Sequence, residues 1–154
     1  MNSASPPPTN KLRLQLETAL AHQNAGRAAA AQQIYEDILR VAPDNADALH
    51  LFGTLKFQSG ESEEDLALVH RATLESPERA DYQNTLGVIH KSRGDFSAAK
   101  SALNAALALS PRFAEAWNNL GAVLEDEGQW ADAAESYDTA TMHAPQFLQA
   151  LVNL

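Results

Sequence analysis

The chain has 154 residues, a formal net charge of −9 and a pI near 4.9. That is one domain's worth of chain, and so acidic a balance excludes phosphate-backbone binding, which needs clustered Lys and Arg. There is no cysteine, which excludes disulfides, thiolate nucleophiles and cysteine zinc sites. The basic residues are scattered and none follows Arg112.

The longest apolar runs are too short to span a bilayer, so no membrane association is expected. The first residues lack the charged start and apolar run of a signal peptide, and a cytoplasmic location is the expected default. Residues 1–11 are polar and carry Pro6, Pro7 and Pro8. They bury too little apolar surface to order themselves and are predicted to form a disordered tail.

Beyond the tail, glycine and proline fall in register. Gly26, Gly60, Gly94 and Gly128 lie 34 residues apart, as do Pro43, Pro77, Pro111 and Pro145. Gly53, Gly87 and Gly121 keep the same step. Three series at one period mean a repeat array, and this period is that of a helix–turn–helix repeat. The expected repeats are residues 12–45, 46–79, 80–113 and 114–147, with a partial fifth over 148–154.

The first repeat is the most degenerate. Ala19 stands where later repeats have glycine, and Gln15, Glu17, Thr18 and Gln23 suit a terminal helix with one face in water. In the second repeat, Leu49, Phe52, Gly53 and Leu55 make one apolar stripe. Its second helix is predicted to open with Ser62 as N-cap. Asp65 sits where the other repeats carry alanine at a helix–helix contact. A carboxylate there predicts the loosest packing in the array and a cost in stability. The third repeat carries Leu86, Gly87, Phe96, Ala99, Leu103, Ala106 and Pro111, and Asp95 is placed to cap its second helix.

The fourth repeat carries Trp117, Leu120 and Gly121, then Ala133, Tyr137, Ala140 and Pro145. With these residues it resembles the tetratricopeptide repeat, and the resemblance extends over about nine tenths of the chain. It implies an all-α, right-handed superhelix of four helix–turn–helix repeats plus the start of a fifth. First helices would line a concave face.

No catalytic constellation and no glycine-rich phosphate loop is present, so the chain as given is not read as an enzyme. No cofactor and no metal is expected. His22 and His90 occupy one repeat position but suggest packing residues rather than a paired pH sensor. Consecutive Glu125, Asp126 and Glu127 point in different directions on a helix, which disfavours a cation site.

The resemblance makes the concave face the candidate site. The register places Asp47 and His50 from the second repeat on it. From the third come Asp81, Asn84, Thr85, Val88 and Lys91, and from the fourth Glu115, Asn118 and Asn119. Asparagine binds peptide amides and carbonyls alike. Asn84, Asn118, Asn119 and Asn153 resemble part of the asparagine ladder in repeats of O-linked N-acetylglucosamine transferases, which implies a grip on extended polypeptide. Leu51 and Glu17 break the row. The alternative is a polar helix face with no ligand. The second-position row, Asp47, Asp81 and Glu115, is acidic, so a neutral or basic ligand is expected rather than an acidic one.

The expected function is a protein-interaction module. Two alternatives stand beside it. One is the substrate-recognition arm of a glycosyltransferase or sulfotransferase whose catalytic domain lies beyond Leu154. The other is a structural, self-associating solenoid. Leu148, Leu151, Val152 and Leu154 form an apolar face on the incomplete fifth repeat, which predicts weak end-to-end association.

Overall fold

A computed structural model of the chain describes residues 9–60 and 64–145. Among them there are eight helices and no strand: α1 (Thr9–Asn24), α2 (Ala28–Val41), α3 (Ala46–Gln58), α4 (Asp65–Glu75), α5 (Ala80–Ser92), α6 (Phe96–Leu109), α7 (Ala114–Asp126) and α8 (Trp130–His143). The all-α, helix–turn–helix reading holds. α1 opens at Thr9, ahead of Leu12. The rest of the predicted tail and the predicted fifth repeat lie outside the described residues.

Local chemistry sets the ends of these helices. Asn45 caps α3, its side chain accepting from the Ala48 amide at 2.8 Å, and Asp95 caps α6 by accepting from Ala98 at 3.0 Å. The turn inside each pair passes through a glycine at φ between 72° and 76°, where a side chain is strained. Each second helix stops two residues before a proline, with one residue between. Ala42, Ser76, Ser110 and Ala144 adopt φ near −140° with ψ from 75° to 87°. Proline's ring bars the helical conformation from the residue before it.

The helices fall into two compact units, one ending at Ser76 and the other beginning at Pro77. In the first unit, Ala19, Ala31, Tyr35, Phe52 and Leu55 form a core from α1, α2 and α3. In the second, Ala99, Leu103, Ala106 and Leu107 of α6 pack on Ala116, Leu120 and Val123 of α7. Phe96, Phe113, Trp117 and Leu124 close the edges of that core.

The expectation of loose packing at Asp65 is corrected. A Cβ added to Gly53 would meet Val69 Cγ2 at 2.6 Å and the Asp65 carbonyl oxygen at 3.0 Å. The same test gives 2.6 Å at Gly87 and at Gly121, so α3 and α4 approach as closely as the other pairs. Asp65 is the first residue of α4 and fully buried, and its Oδ1 accepts from the Leu66 amide. A carboxylate in the first turn faces the positive end of the helix dipole. Asp65→Ala is therefore expected to lower, not raise, the denaturation midpoint, by about 1 kcal/mol of stability. A chemical denaturation curve checks the sign.

Three further expectations meet the structure. Ser62 lies outside the described residues, and Glu64 holds the cap position of α4. Gln23 is more than a solvated cap residue: it accepts from the Tyr35 hydroxyl at 3.0 Å and donates to Gln58 Oε1 at 2.9 Å. Each acid of the run Glu125, Asp126 and Glu127 has its own partner. Tyr137 Oη donates to Glu125 at 2.7 Å, Lys91 Nζ lies 2.9 Å from Asp126, and Lys100 Nζ lies 2.6 Å from Glu127.

Candidate functional site

The second unit assembles most of the predicted site. α5 and α7 are the first helices of successive pairs and lie side by side. Helical spacing puts Asp81, Asn84, Thr85, Val88 and Lys91 on one side of α5, and Glu115, Asn118 and Asn119 on the matching side of α7.

Hydrogen bonds join these rows. Asn119 Nδ2 donates to Asn84 Oδ1 at 2.9 Å, and Asn84 Nδ2 donates to Glu115 Oε1 at 3.3 Å. Asn84 is buried, with 4% of its surface exposed, so both ends of its amide are engaged inside the protein. Asn119 is half-buried and its Oδ1 stays available as an acceptor. Asn118 is buried, and its Oδ1 has no hydrogen-bond partner among the described residues.

The charges are compensated in pairs. Arg79 grips Asp81 with both Nε and Nη2, at 2.9 and 2.6 Å. The same guanidinium lies 4.3 Å from the centre of the Tyr82 ring. Lys91 is tied to Asp126. Glu115 is exposed and has no cationic partner among the described residues. Thr85 Oγ1 donates back to the Asp81 carbonyl oxygen at 3.1 Å, the usual local bond of a helical threonine. Val88 is half-buried.

Asp47 and His50 belong to α3, in the other unit. Asp47 is exposed in the first turn and His50 is half-buried, its carbonyl oxygen accepting from Thr54 Oγ1 at 2.8 Å. Sequence reasoning missed Arg79 and Asp126. Arg79 precedes its helix, and only its spacing of two from Asp81 across the helix start signalled the pair. Among the described residues no cluster of His, Asp or Glu is arranged to hold a metal ion, and no helix is long and apolar enough to cross a membrane.

This geometry defines a helix–turn–helix repeat protein. Two tetratricopeptide repeat families match the sequence, over residues 24–89 and 84–146. The chain belongs to the tetratricopeptide repeat family. No curated protein matches the sequence. Its fold is similar to that of Thermobaculum terrenum O-GlcNAc transferase (TM-score 0.83, 24% identity), with 90% of this chain and 27% of that one covered. It is similar to the MamA protein (0.78, 23%), over 88% of this chain and 79% of MamA. It is also similar to YrrB, a repeat protein with an unusual peptide-binding site (0.73, 20%), over 90% of this chain and 72% of YrrB.

Proposed function

We propose that this chain is a protein-interaction module that takes an extended peptide across α5 and α7. The observation that carries the reading is the chain of bonds from Asn119 through Asn84 to Glu115. It leaves Asn119 Oδ1 and the second Glu115 oxygen as acceptors outside that chain of bonds. Such acceptors suit the backbone N–H groups of an extended segment. An exposed carboxylate without a cationic partner suits a neutral or basic segment over an acidic one. The peptide-binding site of the similarly folded YrrB supports a peptide as the ligand class. A transferase arm, the rival reading, rests on fold likeness alone.

Selection from a random-peptide display library on the intact chain tests this. Selected peptides are expected to be neutral or basic. Their affinity should fall about fivefold on Asn119→Ala, the worth of one net hydrogen bond. Glu115→Gln should weaken basic peptides and flatten their salt dependence. Peptides that bind both variants as tightly as the parent would refute the face.

A further inference from the structure

We infer that a cleft between α5 and α6 takes the indole ring of a tryptophan in a partner polypeptide. The cleft has a volume of about 220 Å³. Gln83, Leu86 and His90 line its α5 side, and Ala98, Ala102 and Ala105 line its α6 side. Leu86 and Ala102 are buried and form the floor, while Ser101 is exposed at the mouth. The three α5 residues follow one another at helical steps and form one stripe. Asp81, Asn84, Thr85 and Val88 lie on another stripe of the same helix. The inference therefore goes beyond the peptide-binding reading, and neither falls with the other.

The sequence explains why the cleft exists. One period after Ala98, Ser101, Ala102 and Ala105 stand Asp132, Glu135, Ser136 and Thr139. One period after Gln83 stands Trp117. Every one of these walls is smaller around α5 and α6, while the backbone repeats. Truncated side chains leave space that a packed fold closes only in part.

The same comparison names the occupant. Trp117 is half-buried against the core of α6 and α7, and its Nε1 donates to the Pro111 carbonyl oxygen at 2.9 Å. Pro77 lies one period before Pro111, in a matching turn. The residue that ends each turn is similarly extended, Arg79 at φ −86° and ψ 101° and Phe113 at φ −74° and ψ 88°. The Pro77 carbonyl oxygen is thus the counterpart acceptor for an indole N–H in the cleft. An indole has one donor and no acceptor, which suits a single carbonyl beside an apolar floor. Size agrees, because an apolar cavity of about 150 Å³ already takes benzene.

Amide NMR of the isotope-labelled intact chain, titrated with N-acetyl-tryptophanamide, tests it. Saturable shifts are expected at Leu86, Ala98 and Ala102. The affinity should be millimolar, which is what one buried ring supplies against the cost of docking. N-acetyl-leucinamide should bind about tenfold more weakly, because it lacks the ring and its donor. Gln83→Trp should abolish the shifts by placing a tethered ring in the cleft. Ala98→Asp combined with Ser101→Glu copies the next helix pair and should weaken binding severalfold without altering the buried floor. The cleft is refuted by the absence of saturable shifts there, or by parent affinity in both variants. Equal affinity for the two amides overturns the aromatic occupant. Saturation by free indole but not by the tryptophan amide assigns the cleft to a small molecule and overturns the polypeptide partner. Trp130 is 66% exposed. Shifts that grow with protein concentration alone and vanish on Trp130→Ala assign the cleft to a second copy, which also overturns the partner. Should Gln83→Trp disturb α5, the double variant still decides.

Discussion

Gly53→Ala is expected to destabilise the first unit by about 2 kcal/mol, against the usual sign for this exchange in a helix. Alanine in place of glycine inside a helix normally gains up to about 1 kcal/mol. Here the new methyl would meet Val69 Cγ2 at 2.6 Å, the Asp65 carbonyl oxygen at 3.0 Å and Leu68 Cβ at 3.1 Å. Val69 is fully buried and β-branched, so it has no alternative rotamer to retreat into. The other two atoms belong to the backbone and stem of α4 and move only with the helix. Relief requires that α3 and α4 separate, which opens the packing around Leu49 and Ala72, both fully buried. Gly60→Ala is the control. Nothing lies within 4 Å of a Cβ there, but φ is +75°, so the cost is the left-handed backbone alone, about 1 kcal/mol. Chemical denaturation of both variants, with exchange read on α3 and α4, checks the order. Equal losses at the two sites would show that the contact at Gly53 is soft.

The period was legible because it is written in residues with one backbone meaning each. A glycine that must take positive φ and a proline that must follow an extended residue admit few substitutes. The partners of the polar side chains were not legible in the same way. The backbone repeats every 34 residues, but the first helices bond one residue out of that register, as Gln23 to Gln58 and Asn84 to Asn119 show. The offset comes from how neighbouring helices slide against each other, and no single repeat encodes it. Asn84, Asn118 and Asn119 consequently looked alike in sequence and have three different environments. Lys91, which the register placed on the candidate face, is paired with Asp126. Asp65 looked like a packing fault because the sequence could not show that it falls on the first residue of its helix.

Alkaline titration is expected to weaken the first unit through Tyr35. Its side chain is fully buried between α2 and its neighbours, and burial pushes the phenol from 10.0 up to about 12. The unfolded chain therefore ionises first. Below pH 10.0 both states hold the proton and the full contribution is present. Between there and about pH 12 the unfolded state gives up its proton while the folded state keeps it, so stability falls as pH rises through the folded value. One proton sets an upper slope of about 1.4 kcal/mol per pH unit. The realised slope is smaller, because the hydroxyl sits at the edge of the core beside the half-exposed Gln23, where water screens the charge. The same edge explains the chemistry of the loss. Tyr35 donates its proton to Gln23 Oε1 at 3.0 Å, and a phenolate has no proton to donate. Tyr35→Phe separates the two effects. It should cost about 1 kcal/mol at neutral pH, the worth of the lost hydrogen bond, and flatten the decline above pH 10. Parallel declines in parent and variant would place the alkaline sensitivity elsewhere.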